Sequence, residues 1–160
     1  MGYSNNNLIS EFITDPSGLG FSVIPGGTQR FHLHFLKPAS NDGLEVYVQI
    51  DLANSGGTSY GTFTANTNTA LIGWVDASTP VETVVDLILP TTTINSTDRM
   101  IVRIYTNNID ATNHTLRWYT EGTSYYSFVL TSVGQIAGSS GSAGSSGSAG
   151  SSGSSGTSGS

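Results

Sequence analysis

Leu44-Glu45-Val46-Tyr47-Val48-Gln49-Ile50-Asp51-Leu52 sets the fold class. Successive side chains of an extended strand point to opposite faces. This stretch therefore puts Leu44, Val46, Val48 and Ile50 on one face and Glu45, Tyr47, Gln49 and Asp51 on the other. A period of two with β-branched residues on the apolar side predicts a strand with one face on a core.

Working outward, the same signature recurs. Val81–Leu89 carries Val81, Val84, Val85, Leu87 and Leu89, with Pro80 and Pro90 as punctuation at its ends. Gln29–Leu36, Met100–Thr106, Thr115–Thr120 and Ser124–Val133 read as further strands, with shorter ones at Gly20–Ile24, Tyr60–Thr64 and Ala70–Val75. Asn107-Asn108-Ile109-Asp110 reads as a loop. Asn7–Thr14, with Leu8, Ile9, Phe12 and Ile13, is either the first strand of its own sheet or a strand donated to a neighbouring subunit. No stretch has helical apolar spacing. The expectation is an all-β head of about eight or nine short strands, an antiparallel two-sheet sandwich with jelly-roll-like topology. An immunoglobulin-like sandwich is the alternative, without the Cys-Trp-Cys hallmark. Trp74 and Trp118 read as core or inter-subunit anchors.

The composition changes abruptly near the end. Gly138, Gly141, Gly144, Gly147, Gly150, Gly153, Gly156 and Gly159 fall at every third position, separated only by Ser, Ala or Thr. This is the G-x-y pattern of a triple helix, in which only glycine fits where three chains meet at the axis. A flexible linker shares the composition but has no reason to hold the phase. With no proline to pre-set the backbone, a rod of about eight triplets is weak alone and requires a trimeric head. The chain thus divides into a head at residues 1–133, a short joint at 134–137 and a stalk at 138–160.

Charge limits the partners. Five Lys and Arg stand against eleven Asp and Glu, a net charge of −6. That argues against nucleic acid and against anionic membrane surfaces. Cysteine is absent, so neither a disulfide framework nor a thiolate metal site is expected. No apolar run reaches the roughly 20 residues that span a bilayer. The segment Met1–Ser10 is polar and does not read as a secretory signal.

Few residues suggest chemistry. His32 and His34 share one strand face, half a metal site in one chain. Three copies around a threefold axis would supply an octahedral cage for a transition metal. The simpler reading places both on the solvent or interface side, opposite Phe31, Leu33 and Phe35. No cofactor is expected otherwise. His114 has no obvious partner. Asp76, Glu82, Asp86 and Glu121 are the carboxylates available for hydrolytic chemistry, but no nucleophile elbow or phosphate loop accompanies them, so an enzyme is not expected. Tyr119, Tyr125 and Tyr126, with Asn107 and Asn108, could stack on and hydrogen-bond a glycan. Tyrosines are equally at home in a subunit interface. The sequons Asn95-Ser96-Thr97 and Asn113-His114-Thr115 read as chance in a chain rich in Asn and Thr.

The stalk resembles the collagen-like tracts of viral proteins, especially bacteriophage fibres, where Ser/Thr/Ala triplets with little proline occur. The resemblance covers Gly138–Ser160 only. Trimeric viral fibres also use a His-x-His pair at their axis, and His32-Leu33-His34 is similar to that motif. Tyr119–Phe128 looks loosely like the closing strands of virion-attached phage domains. The resemblance implies a homotrimer located on a virion and bound to other capsid or tail proteins. Because the head precedes the stalk, it implies a head that anchors and a stalk that projects. A glycan-binding adhesin and an extracellular filament built by strand donation are the competing expectations.

Overall fold

The computed structural model describes residues 6–63, 68–110, 112–131 and 133. Residues 134–160, which hold the joint and all eight stalk glycines, lie outside the described residues, so the expectations placed on them concern sequence only. The described residues form eleven strands and no helix. They are β1 Asn7–Ile13, β2 Val23–Ile24, β3 Gly27–Leu36, β4 Leu44–Ala53, β5 Ser59–Thr62, β6 Ala70–Leu71, β7 Val81–Leu89, β8 Thr92–Thr93, β9 Arg99–Asn108, β10 Arg117–Tyr119 and β11 Phe128–Leu130.

Every pairing is antiparallel. One sheet runs β1-β9-β4-β5, with β6 on one end of β4. In the second, β7 covers one edge of β3 while β10 and β11 share its other edge. A small third ladder joins β2 to β8. The two larger sheets enclose one apolar core, as in a β-sandwich. Leu44, Val46, Val48 and Ile50 of β4 and Ile104 of β9 meet Phe31, Leu33 and Phe35 of β3 and Val85, Leu87 and Leu89 of β7. Each fully buried side chain of this size contributes about 1.5–3 kcal/mol. An exposed ion pair is worth about 0–1 kcal/mol. The core therefore outweighs every surface contact described below.

The outer face of the β1-β9-β4-β5 sheet is largely covered by its own side chains. Tyr47 and Tyr105 stack at 4.9 Å, and the Tyr47 hydroxyl donates to Asn6 at 2.6 Å. Arg103 bridges Glu11 of β1 and Asp51 of β4, tying three strands across their ladders. Tyr47 and Asp51 are consequently buried, although the alternation alone sends them outward.

At one end of the sandwich two loops are clasped together. His114 Nδ1 lies 2.9 Å from Asp42, and its Nε2 lies 3.1 Å from Asp110. The lack of a partner expected for His114 is thus corrected: its neighbours come from a loop more than seventy positions away and from its own preceding loop. Buried Lys37 donates to the Asp42 carbonyl at 2.8 Å, and burial pushes its amine pKa down. The Gly43 amide donates to the Asp110 carboxylate. A Cβ at position 43 would fall 2.7 Å from that carboxylate, so a larger residue there would have to displace the Asp110 side chain from the clasp.

Two further expectations change, and the two tryptophans separate between the placements expected for them. Asn107 and Asn108 are not in a loop, because β9 continues through them to pair with Glu45 and Leu44. Among the described residues of 124–133, strand occurs at Phe128–Leu130. Trp118 packs half-buried against the core, whereas Trp74 is exposed. Asn7–Ile13 pairs with β9 of its own chain, the first of the two placements expected for it.

Candidate functional site

The outer face of the β7-β3-β10/β11 sheet gathers the side chains singled out above. His32 and His34 project from β3 on the side opposite buried Phe31, Leu33 and Phe35, as strand alternation dictates. Register places Tyr119 beside His34 and Phe128 beside His32. The phenyl ring of Phe128 stacks on the His32 imidazole at 4.4 Å, and Tyr125 leans on His34 with centroids 5.9 Å apart. Tyr119 meets Tyr125 edge-on at 6.2 Å, and Tyr126 meets Phe128 at 5.5 Å. Two independent sequence expectations, the histidine pair and the three tyrosines, thus occupy a single patch.

Asn107 and Asn108 do not join it. They lie on β9 in the opposite sheet, and Asn108 is fully buried with its amide donating to the Thr112 carbonyl at 2.7 Å. The glycan-type constellation is therefore reduced to aromatics.

Ser127 holds the patch together, and sequence reading passed over it. Its Oγ accepts from the Trp118 indole at 2.9 Å and from the His34 backbone amide at 3.1 Å, and donates to the Tyr119 carbonyl at 2.7 Å. One donor and two acceptors exhaust a hydroxyl. Upstream, Gly122 takes φ +156°, and a Cβ there would sit 2.8 Å from the Tyr125 carbonyl oxygen. The loop thus needs glycine to fold back and lay its tyrosines on the sheet.

Two of the charged contacts on this face join β3 to β7. Arg30 grips both oxygens of Asp86 at 2.8 Å, holding that carboxyl below the usual range, while the same bond raises the guanidinium. Glu82 Oε1 lies 2.8 Å from His32 Nδ1. Of the other carboxylates, Asp76 is bonded within its own turn to Ser78 and Thr79, while Glu121 lines a cleft described below.

His32 Nδ1 is engaged by Glu82, and His32 Nε2 and His34 Nδ1 are buried without a partner. Three of the four ring nitrogens thus face into the chain or a carboxylate within the single chain. No group of three His, Asp or Glu side chains able to hold a metal occurs among the described residues.

Much of the rest of the exposed surface here is apolar. Val84 and Ile88 of β7, Tyr125 and Tyr126, and all of β11 stand in solvent. On the inner side of β11 the two sheets part, leaving a cleft of about 360 Å³ between Phe12, Val102 and Ile104 on one wall and Trp118, Phe128 and Val129 on the other. An exposed apolar surface of this kind is typical of a site of macromolecular contact. No protein-family model matches this chain, and no curated protein matches it in sequence.

Proposed function

We propose that this chain is a homotrimeric structural protein of a virus particle, serving as a head fibre, a decoration protein or the base of a tail fibre. A jelly-roll-like head grips the capsid or tail, and the G-x-y stalk projects from it. The observation that carries this reading is the unbroken glycine phase from Gly138 to Gly159. Two features of the head support it. The long strands cross between sheets, β3 to β4 and β7 to β9, as in a jelly roll. The exposed side chains on one sheet are aromatic and apolar, the composition of an assembly surface. The head does the work of concentration: it holds three weak chains together so that they wind without the full entropic cost of meeting. No cofactor takes part in this role.

Limited proteolysis of Gly147→Val beside the unaltered chain tests the reading. A bulky residue at the axis opens the stalk locally while the head stays folded. The variant is then cut within 138–160 faster than the parent. Equal cleavage of both tails contradicts a wound stalk.

The cluster of Tyr119, Tyr125 and Tyr126 favours a second reading, a glycan-binding adhesin. A glycan array on the full chain separates the two: sugar binding abolished by Tyr125→Ala and Tyr126→Ala supports the adhesin. A filament built by strand donation has the least support, since β1 already pairs within its own chain. Deleting residues 1–14 abolishes polymerisation under that reading and leaves a trimer under the first.

A further inference from the structure

β11 is uncovered on both sides. Strand residues alternate faces, so a strand of a sandwich normally keeps every second residue in the core. Phe128, Val129 and Leu130 are instead 37%, 44% and 56% exposed. Phe128 and Leu130 share the outer face with His32 and Arg30, whereas Val129 faces inward with Phe31. Val129 is exposed because the cleft opens beneath it. Across the cleft stands β1, the edge strand of the other sheet, with Phe12 54% exposed. The other wholly exposed strand, β5, reads Ser-Tyr-Gly-Thr and carries little apolar surface.

A bare apolar edge of this kind invites a partner. Chain position identifies which one. Residues 131–137 separate β11 from Gly138 and span at most about 25 Å when fully extended. A wound G-x-y tract brings three backbones into contact at one axis, so β11 is tethered within about 25 Å of that axis in an assembled molecule, and its bare apolar surface makes it the part of the head suited to face inward. In a threefold ring each copy presents two different surfaces, one to each neighbour, and the two meet at the axis. A strand near the axis with both faces bare can meet one neighbour on each face.

We infer that β11 is the axial strand of the trimer: one neighbouring copy covers Phe128 and Leu130, and the other fills the cleft beside Val129. The inference rests on the trimeric reading above and adds the surface that makes the trimer. The stacked Phe128 and His32 then form part of the contact, and their burial follows from assembly.

The absence of cysteine gives a clean test. Leu130→Cys and Tyr60→Cys, each in the full chain, are treated with a short bis-maleimide after the native mass has been measured. Tyr60 lies on β5, at the opposite edge of its sheet from β1, and is 60% exposed. Expected are a trimeric mass for both, covalent pairs of chains from Leu130→Cys and none from Tyr60→Cys. A trimeric mass with no pairs from Leu130→Cys overturns the axial placement and leaves the trimer standing. A single-chain mass for the unaltered protein overturns both. Leu130→Asp supplies a second readout: with the far-ultraviolet circular dichroism of the head unchanged, trimer mass is lost, and a trimer that survives the charge contradicts the inference.

Discussion

The imidazole of His32 lies flat on the phenyl ring of Phe128, with centroids 4.4 Å apart and planes 5° from parallel. The ring shields a histidine whose Nδ1 is held by Glu82 and whose Nε2 is enclosed without a partner. Phe128→Ala removes that cover. Because Phe128 is partly exposed, the expected loss in the isolated head is about 1–2 kcal/mol, below the 3–5 kcal/mol of a fully buried phenylalanine. Urea unfolding of a head fragment would measure it once that fragment is shown to fold, and Phe128→Leu should recover most of the loss.

Ser127→Ala should cost more than its size suggests. It leaves the Trp118 indole and the His34 amide without their acceptor in a half-buried setting. An unsatisfied donor of this kind costs about 1–3 kcal/mol. Tryptophan fluorescence should also shift as the indole loses its partner, and Ser127→Thr should retain it. A fully neutral Ser127→Ala would contradict the role given to this hydroxyl.

The His114 clasp predicts a coupled pair. His114→Ala leaves the buried Asp42 carboxylate without its ring partner, and Gly43→Ala drives a methyl into Asp110. Each should destabilise by about 2–4 kcal/mol. Because both act on one cluster, the double variant should lose less than the sum. Strict additivity in equilibrium unfolding would show the loops to be independent.

Asp76 accepts from the hydroxyl of Ser78, that of Thr79 and both their backbone amides. These bonds, the Ser78 hydroxyl foremost, lower its pKa to about 2 from 3.8. A carboxyl depressed in the folded state stabilises it above the unfolded value, and that stabilisation fades as the pH falls from about 4 towards 2. Carboxyl chemical shifts followed by NMR should give a midpoint near 2 for Asp76. A midpoint near 3.8 would mean that the turn does not hold in solution.

Much of the fold could be read directly from the chain. The alternation of Leu44–Leu52 marked β4, and its four apolar inward residues are all buried. The limits of that reading lie where long-range partners decide. Asp51 is buried because Arg103, fifty-two positions on, reaches across to it. Asn108 is a strand residue because Leu44 pairs with it. Neither fact leaves a local trace. β8, at Thr92–Thr93 just after Pro90, exists only through its pairing with β2. The candidate face was half legible. His32 and His34 declared a shared side by their spacing, and the tyrosines declared themselves by type. Their meeting depends on a turn at Gly122 and on Ser127, neither of which stands out among so many glycines and serines.

The account stands on threefold association, and native mass spectrometry addresses it most directly, run on the full chain and on a chain ending at residue 137. The full chain should appear close to three times 16.7 kDa. The shortened one should remain trimeric, because the heads supply most of the association and the stalk is weak alone. A full-length species at the mass of one chain would contradict the account.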